Sequence, residues 1–403
     1  GQIRKAAEAI MAAKKPVMMV GGGSQVAADE VNAFAAATGI PVITTLMGIG
    51  AFPAGSDQAL GMPGMHGTVT ANRAITNSDL IIGAGLRFDD RVTGKISRFA
   101  PNATIVHIDI DPAEISKLVK AHVPVVGDLR DVLPRLQAEL EPLQVDDWWT
   151  TLKDWRDRYP ERYKTDKPLV SQEVIEMLQQ ATGGDCIVTT EVGQHQMFAA
   201  RMFPTNKPRS FITSGGLGTM GFGLPAAIGA EIGSQQYFDG KKPVWLIDGD
   251  GSFQMTSEEL ATAFMEGTPI KIALLNNSVY GMVRQWQTLF YEKHYSATIL
   301  HEEEKTGLVG VPDFVKLAEA YGCVGLRART KEEAIECIRK ANEINDRPVL
   351  IDFHVWKDAM VWPMIAAGDA NDNVTYMPGI KPLLNPQGNV SLQDEPDTTE
   401  ENN

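Results

Sequence analysis

The chain has few cysteines and no cysteine motif. Only three occur among 403 residues, at Cys186, Cys323 and Cys337, with no C-x-x-C pair and no metal-ligand spacing. Such an odd, sparse set excludes a disulfide framework and indicates reduced thiols in a cytosolic setting.

Long apolar runs and positive charge are also scarce. No apolar run approaches the roughly 20 residues that a membrane-spanning helix needs. The net charge is −14, and a chain this acidic is poorly suited to bind phosphate backbones. The sequence therefore predicts no membrane and no nucleic-acid partner. We also see no signal peptide, and because the chain begins with Gly rather than Met we expect it to be a piece of a longer protein.

Apolar strands alternate with helices through the first part of the chain. We predict strands at 16–20, 41–45, 79–85, 104–111 and 123–128. After the strand at 104–111 we predict a helix that begins at Pro112. Continuous apolar strands of this kind indicate a parallel sheet covered on both faces. The fold class we expect is α/β, with two doubly wound parallel-sheet domains.

Glycines and acids stand where these strands end, and parallel strand ends share one edge of a sheet. The five ends are Gly21–Gly23, Thr45–Gly48, Gly85–Arg91, Asp109–Asp111 and Gly127–Asp128. They predict a nucleotide-sized ligand, although the glycines can also be explained as turn residues. Val26 stands where a dinucleotide fingerprint needs its third Gly, which disfavours a standard NAD site.

The predicted domains are separated by a polar, aromatic linker. We assign 1–145 to the middle domain, 146–169 to the linker, 170–382 to the C-terminal domain and 383–403 to an acidic, disordered tail. Trp148, Trp149 and Trp155 of the linker are expected to pack at a seam between the domains.

A strand followed by an acid and a strand followed by an amide carry the clearest chemistry. PVWLID ends at Gly249-Asp250-Gly251-Ser252, and IKIALL ends at Asn276-Asn277. A βαβ crossover brings the two ends together. A carboxylate, an amide oxygen and a backbone carbonyl suit Mg²⁺, and backbone N–H groups suit a diphosphate. Thr256-x-x-Glu259 is predicted to form a capping box for the helix between the two strands. The alternative to a metal-diphosphate site is a plain βαβ unit with Asp and Asn as turn formers.

Those motifs resemble the acetohydroxyacid synthase (acetolactate synthase) family of thiamine-diphosphate enzymes. The resemblance rests on GDGS with NN, on GMHG (64–67), RFDDRVTG (87–94) and EVGQHQMFAA (191–200), and on TSGGLGTMGFGLPAAIGA (213–230) and GMVRQWQ (281–287). It covers nearly the whole chain apart from the acidic tail.

The resemblance implies roles in the C-terminal domain. Asp250, Asn277 and the carbonyl of Val279 are implied Mg²⁺ ligands, and Gly251 and Ser252 would hold phosphate. A loop formed by Val192, Gly193, Gln194 and His195 is also implied to contact thiamine diphosphate. Met282 is implied as a further contact, and Met220 is implied to lie beneath the bent cofactor. For a single Met, packing in the core is the alternative.

In the middle domain the resemblance implies FAD without a redox role. The matching positions are Gly21, Gly23, Thr45, Leu46, Gly64, Met65, His66, Gly85, Arg87, Asp89, Arg91, Val92, Asp109, Ile110, Gly127 and Asp128. Arg91 would also pair with the carboxylate of the second substrate, and Trp286 would shape the acceptor pocket. A loop salt bridge from Arg91 to Asp89 or Asp90 is the alternative.

The implied activity is a decarboxylating condensation of pyruvate with pyruvate or 2-ketobutyrate, in valine, leucine and isoleucine biosynthesis. The resemblance also implies a homodimer or homotetramer, a small regulatory subunit and a bacterial cytoplasmic location. Because the family's N-terminal domain has no counterpart in this sequence, we expect the isolated chain to bind diphosphate weakly and not to turn over. A 2-keto acid oxidase or decarboxylase, or a non-catalytic nucleotide-binding module, remains an alternative.

Overall fold

The computed structural model describes residues 1–161, 165–237, 242–300 and 311–376. The chain divides into two compact units. Unit 1 comprises Gly1–Thr45, Asp57–Asp166 and the chain from Trp362 onward. Unit 2 comprises Leu46–Ser56 and Lys167–Val361. The predicted tail at 383–403 lies outside the described residues.

Unit 1 is built around one five-stranded parallel sheet. Its strands are β1 (Pro16–Val20), β2 (Val42–Thr44), β3 (Leu80–Ala84), β4 (Thr104–Asp109) and β5 (Val123–Val126), in the order β2-β1-β3-β4-β5. Its helices are α1 (Gln2–Ala12), α2 (Ala28–Thr38), α3 (Val69–Asn77), α4 (Asp90–Thr93), α5 (Leu129–Gln137) and α6 (Asp146–Arg158). β1 and β3 are buried along their whole length, as strands covered on both faces must be.

The strand order reverses between β1 and β3, and there the chain packs backbone against backbone. A Cβ at Gly21 would collide with the carbonyl of Gly85, and a Cβ at Gly23 would lie 2.9 Å from the Gly85 Cα. Gly85 itself has φ +59°, a left-handed conformation that glycine adopts without strain. The contact between the two loops therefore requires glycine at all three positions.

The predicted linker is wrong in its first half, because α6 packs into the core of unit 1. Trp148 is 2% exposed, and its indole N–H donates to the carbonyl of Pro16 at 3.2 Å. Leu152 is fully buried one turn later. Trp155 meets Trp148 edge to face, with ring centroids 5.7 Å apart. An aromatic stripe at helical spacing thus covers the sheet rather than marking a domain seam.

The chain from Trp362 to Tyr376 also belongs to unit 1, where the prediction assigned it to the C-terminal domain. Ile365 N–H donates to the Met65 carbonyl at 2.8 Å, and Lys95 N–H donates to the Asp369 carbonyl at 2.9 Å. Asn371, 2% exposed, donates from Nδ2 to the Val92 carbonyl at 3.1 Å. These bonds join the segment to both loops that carry the GMHG and RFDDRVTG motifs.

The helix predicted to begin at Pro112 does not form. Asp111 N–H is bonded to the Asp109 carboxylate, and Ala113 N–H to the Asp111 carboxylate, both at 2.9 Å. Aspartate side chains thus take the backbone donors and bend the chain into turns. Ser116 follows with φ +61°, which no helix accommodates.

Unit 2 holds a six-stranded parallel sheet. Its strands are β6 (Ile187–Thr190), β7 (Phe211–Ile212), β8 (Val244–Gly249), β9 (Lys271–Asn276), β10 (Val324–Ala328) and β11 (Val349–His354), in the order β10-β11-β9-β8-β6-β7. Its helices are α7 (Ser171–Thr182), α8 (Gln194–Met202), α9 (Gly223–Tyr237), α10 (Asp250–Phe253), α11 (Leu260–Met265), α12 (Gly281–Phe290), α13 (Phe314–Ala320) and α14 (Lys331–Glu343). The predicted pair of doubly wound parallel sheets is confirmed.

Three local predictions in unit 2 are wrong. Gln194 and His195 open a helix, α8, rather than lying in a loop. The tight turn expected after β8 is the single helical turn α10. The capping box at Thr256 does not form, because the Thr256 hydroxyl donates to the Gly221 carbonyl at 3.2 Å instead. No helix in the described part of the chain combines the length and hydropathy needed to cross a bilayer.

Candidate functional site

The ends of β8 and β9 bring Asp250 and Asn277 to the same edge of the unit 2 sheet. β8 and β9 are hydrogen-bonded neighbours, with Gly249 opposite Leu275. Asp250 is the first residue of α10, and its Oδ2 accepts the backbone N–H of Ser278 at 2.7 Å. The acid at one strand end therefore touches the loop that leaves the next.

The loop after β9 is bent back sharply at Ser278. This residue has φ +59°, an uncommon conformation for a residue with a side chain. Asn277 Oδ1 accepts the N–H of Val279 at 3.1 Å, and Val279 is 4% exposed. Strained backbone next to a buried carboxylate is typical of a ligand site.

Asp250 is a buried acid that has no positive partner among the residues the structure describes. It is 2% exposed, and burial raises its pKa to about 7. Backbone N–H groups oppose that rise, while the charge of Asp352 adds to it. A divalent cation would supply the missing charge, because metal ions reverse the effect of burial on a carboxylate.

A polar network supports the loop from the other side of β9. Asp352, 1% exposed, accepts from Arg327 Nε at 3.0 Å and from Asn276 Nδ2 at 2.9 Å. Asn276 Oδ1 in turn accepts the N–H of Ser278 at 3.3 Å. The network fixes the residue whose N–H holds Asp250, and supporting bonds of this kind orient metal ligands.

The donor set at this edge suits Mg²⁺ better than a softer metal. Within the described ranges, no cluster of three or more His, Cys, Asp or Glu side chains is arranged to hold a metal ion. Asp250 and Asn277 provide one carboxylate and one amide, and Val279 a backbone carbonyl. Mg²⁺ binds such a set of hard oxygens and usually keeps several waters or phosphate oxygens as well.

Gly251 and Ser252 lie next to Asp250 and are both buried. A Cβ at Gly251 would lie 2.6 Å from the ring of Tyr280, so internal packing alone requires glycine here. The Ser252 hydroxyl donates to Asp248 Oδ1 at 2.8 Å. That bond commits the Ser252 proton, and a phosphate contact from this residue would have to use its backbone N–H.

His195 is neutral and carries a polar atom without a partner. It is 8% exposed, burial lowers its pKa to about 3, and its Nε2 makes no hydrogen bond in the described part of the chain. The ring packs on the backbone that precedes Asp250, because a Cβ at Gly249 would lie 2.7 Å from His195 Nδ1. A buried unsatisfied nitrogen at this place fits a site that a polar ligand completes.

Gln194 has a structural task instead. Its Nε2 donates to Gln285 Oε1 at 3.0 Å and to the Ala359 carbonyl at 2.9 Å. Both donors of the amide are thereby used inside unit 2. Val192 and Gly193 precede it and are half-buried. The structure brings Val192, Gly193 and His195 to the site edge but turns the Gln194 side chain into the protein.

Glu191 was missed by sequence reasoning and holds the segment that carries Met220. This residue is fully buried at the end of β6. Its carboxylate accepts the N–H groups of Gly223 at 2.5 Å and Gly221 at 2.8 Å. Its position directly after a strand, like that of Asp250, was the signal that could have identified it.

A second buried acid, Asp248, lies near Glu191. Burial raises the pKa of Glu191, and burial together with the Glu191 charge raises the pKa of Asp248 well above its usual range. Asp248 Oδ1 accepts from Gly249 N–H at 2.7 Å, while Oδ2 has no partner in the described residues. The charge of Glu191 thus opposes ionisation of Asp248, while the Glu191 carboxylate binds backbone donors.

The remaining residues predicted in unit 2 differ in exposure. Met282 is half-buried and packs against the main core of the unit. Trp286 is half-buried, and its ring lies 5.1 Å from that of Phe290. Met220 is half-buried, whereas Leu217 in the same loop is 95% exposed. Leu46, predicted with the flavin residues, lies in unit 2, 3.3 Å from a Cβ position on Gly215.

In unit 1 the acids predicted to bind FAD are engaged locally. Asp89 caps α4 and pairs with Arg87 at 3.2 Å. Asp128 caps α5, and the Arg130 guanidinium beside it lowers its pKa to about 2. Asp109 accepts the turn N–H described above. Each acid therefore has a structural explanation of its own.

The other predicted flavin residues collect at the carboxyl edge of the unit 1 sheet. Thr45 is 6% exposed, and its N–H donates to the Val20 carbonyl at 2.9 Å. Gly64 has φ +91°, and a Cβ there would collide with the Arg91 carbonyl. His66 is 6% exposed, Met65 and Gly127 are half-buried, and Val92 is buried. Ile110 is 68% exposed, an apolar side chain open to a ligand at this edge.

Two comparisons define the class of protein. Residues 3–136 match the model described as the central domain of thiamine pyrophosphate enzymes. Residues 191–353 match the C-terminal TPP binding domain of the same enzymes. The chain belongs to the thiamine pyrophosphate (thiamine diphosphate) enzyme family and contains that cofactor-binding domain.

Within the class, the chain is similar to acetolactate synthases. It is 50% identical over 405 residues to the acetolactate synthase large subunit of Corynebacterium glutamicum, covering 98% of this chain and 63% of that protein. It is 51% identical over 393 residues to the acetolactate synthase of Mycobacterium bovis, covering 95% and 62%. For the isozyme 3 large subunit of Escherichia coli the identity is 43% over 386 residues, covering 93% and 65%.

The resemblance predicted from the motifs is thereby confirmed. The chain spans just under two thirds of the length of these relatives.

Proposed function

We propose that this chain forms part of an acetolactate synthase. The reaction is the decarboxylating condensation of pyruvate with pyruvate or 2-ketobutyrate. The observation that carries the proposal is that buried Asp250, at the end of β8, bonds the loop after β9 that carries Asn277, inside a domain of the thiamine pyrophosphate family.

In this proposal Asp250, Asn277 and the Val279 carbonyl hold Mg²⁺, and Gly251 and Ser252 lie against the diphosphate. The uncompensated charge on Asp250 supports the metal, and the unsatisfied Nε2 of His195 supports a polar group beside it. When bound, thiamine diphosphate supplies a carbanion at C2, which is the chemistry that decarboxylation of a 2-keto acid requires.

The residues of the chain orient the cofactor and the substrates. Glu191 fixes Gly221 and Gly223, and thereby sets where Met220 lies. Met282 packs from the core side of α12. We assign Arg91 to the carboxylate of the second substrate, since it is exposed and its guanidinium can bind a carboxylate with two hydrogen bonds. Trp286 is assigned to the wall that selects the acceptor.

We further propose FAD at the carboxyl edge of the unit 1 sheet. Support comes from the reversal of strand order between β1 and β3, where such sheets bind nucleotides, and from the exposed Ile110 after β4. Gly21, Gly23 and Gly85 are already required by their mutual packing. Their presence therefore adds no support for the flavin.

The proposed partners follow from the same family. The relatives from C. glutamicum and E. coli are named large subunits, and we propose a small regulatory subunit for this chain as well. A homodimer or homotetramer is proposed with it. A bacterial cytoplasmic location completes the proposal.

Product identification tests the function. The chain is assayed alone and after fusion to the part of the C. glutamicum relative that it does not match, with pyruvate, Mg²⁺, thiamine diphosphate and FAD. We expect acetolactate from the fused protein and none from the chain alone. Acetaldehyde, acetyl phosphate or acetate as the product would retain the cofactor and contradict the carboligation.

Each preparation is first checked for Mg²⁺-dependent binding of thiamine diphosphate, which verifies that the fusion is folded. A fusion that binds the cofactor but forms no product from pyruvate would contradict the proposed reaction. Asp250→Ala in the same fusion is the matched inactive control.

A further inference from the structure

A basic hollow in unit 2 lies along α12, beside the loop that carries Asn277, because a Cβ on the lining residue Gly281 would lie 2.9 Å from Asn277 Nδ2. It has a volume of about 340 Å³ and is lined by Gly281, Arg284, Gln285, Thr288, Lys293, Tyr295, Lys357, Asp358, Ala359 and Met360. That volume is within the range of small-molecule sites. One face of α12 lines the hollow, through residues spaced three and four positions apart. Met282 and Trp286 lie at other positions of the helix.

The charge in the hollow is opposite to that of the whole chain. Arg284, Lys293 and Lys357 line it with Asp358 as the one acid, in a chain whose net charge is −14. Neither lysine side chain has an ion pair or hydrogen bond in the described part of the chain. A local surplus of about two positive charges in a concave site attracts anions.

Arg284 is built into the wall rather than free in solvent. Its side chain is 11% exposed, its Nη2 bonds to Asp358 at 2.8 Å, and its guanidinium lies 3.7 Å from the centroid of the Tyr295 ring. Tyr295 OH is 3.2 Å from the Thr288 hydroxyl. The guanidinium is thus held in place with part of its donor edge unused, which favours binding of a planar or tetrahedral oxyanion.

The loop that supplies Lys293 is strained. Glu292, Lys293 and Ala297 have φ +50°, +62° and +54°. Each left-handed residue of this kind costs on the order of 1 kcal/mol and is found mainly at functional positions. The left-handed residues turn the loop back over α12 and place Lys293 at the hollow.

The floor of the hollow is rigid. Gln285, 1% exposed, accepts from Val361 N–H at 2.8 Å and from Gln194 Nε2 at 3.0 Å. It donates to the Val361 carbonyl at 3.1 Å. A site with a fixed floor and a fixed guanidinium loses little freedom when a ligand binds.

We propose that this hollow binds a small anion through a phosphate or carboxylate group, at a site separate from Asp250. The guanidinium of Arg284 is held in position to bind the anion, and Lys293 and Lys357 neutralise the charge of the anion from two sides. The site is independent of the proposed reaction. Its ligand is defined here by its oxyanion group, and two probes distinguish the phosphate source from the carboxylate source.

The test is titration of the chain with inorganic phosphate and, separately, with pyruvate, by calorimetry at constant ionic strength and without Mg²⁺. The variants are Lys293→Ala with Lys357→Ala, and as matched control Lys5→Ala with Lys153→Ala, two exposed lysines of unit 1. We expect saturable binding of one probe, weakened about tenfold in the first pair and unchanged within about twofold in the control. Saturation by phosphate assigns a phosphorylated ligand, and saturation by pyruvate a carboxylate.

Asp250→Ala separates this site from the proposed cofactor site, and we expect it to leave the titration unchanged. Absence of saturable binding of both probes would overturn the proposal. So would equal weakening by the lysine pair and its control, or loss of binding in Asp250→Ala. Because neither lysine side chain makes a hydrogen bond or ion pair within the described ranges, the double variant should fold as the parent does, which circular dichroism verifies.

Discussion

The carboxylate of Asp250 accepts the backbone N–H of Ser278 at 2.7 Å, which ties the end of β8 to the loop that leaves β9. The bond forms because Ser278 takes a left-handed conformation, φ +59°, and turns its N–H back toward the sheet edge. Asp250 keeps most of its acceptor capacity, and Asn277 immediately precedes Ser278 along the chain. The relationship has energetic consequences that can be measured.

Asp250→Asn is expected to stabilise the metal-free protein at alkaline pH. The pKa of Asp250 in the folded protein is about 7, above the usual value near 3.9 for aspartate. The stability that the protonated side chain contributes is therefore full below about pH 4 and is lost as pH rises through 7. At pH 8 the buried charge costs about 4 kcal/mol, which Asn removes. Urea unfolding of parent and variant in EDTA, from pH 5 to 8, measures this.

The expected difference in unfolding free energy between parent and variant grows with pH and falls when Mg²⁺ and thiamine diphosphate are added. Asp131→Asn, at a side chain 66% exposed, is the matched control and should have no such trend. A parent stability independent of pH in this range would contradict an uncompensated Asp250.

Glu191→Gln is expected to loosen the Met220 segment. A Gln side chain can accept one of the N–H groups of Gly221 and Gly223, but it presents its own N–H₂ to the other. Leaving a buried donor unsatisfied costs roughly 1–3 kcal/mol. Hydrogen exchange should show lost protection at these two amides, and Glu258→Gln, at an exposed position, should leave both unchanged. Retained protection in Glu191→Gln would contradict the role assigned here.

Trp148→Ala tests whether α6 is part of the unit 1 core. Removing a fully buried indole is expected to cost roughly 3–5 kcal/mol of unfolding free energy. Trp286→Ala, at a half-buried position, should cost about 1 kcal/mol or less. Urea titration of both variants gives the comparison. A small effect of Trp148→Ala would favour a linker over a core helix.

Arg91→Ala tests the proposed substrate contact in the fused protein. Loss of a charged hydrogen bond should raise the KM for the second 2-keto acid by roughly 10–100-fold. Binding of Mg²⁺ and thiamine diphosphate should stay as in the parent. Arg87→Ala removes a neighbouring guanidinium that pairs with Asp89 and serves as the control. Equal effects of both variants on KM would contradict a specific role for Arg91.

Much of the fold can be predicted from local patterns. The strands around β8 and β9 are apolar runs that end at Gly, Asp or Asn, and a βαβ crossover has one preferred hand, so the meeting of Asp250 with Asn277 follows from the sequence. The helices α8 and α12 were not predicted. Each begins without a side-chain cap, so neither sequence carries a capping residue that marks the start of a helix.

The contacts that sequence reasoning missed join distant parts of the chain. Glu191 binds backbone donors that lie 30 and 32 residues further on. Thr256 abandons its capping box because tertiary packing offers it the Gly221 carbonyl. Trp148 finds its partner at Pro16, 132 residues away. No local pattern encodes such pairings, since each depends on how the sheet brings its loops together.

The central claim is tested most directly by calorimetric titration of thiamine diphosphate into this chain with and without Mg²⁺. The account predicts saturable binding that requires Mg²⁺ and disappears in Asp250→Ala and in Asn277→Ala, while Asp131→Asn binds as the parent does. Binding that is indifferent to Mg²⁺, or that survives both substitutions, would contradict a metal-diphosphate site at the ends of β8 and β9.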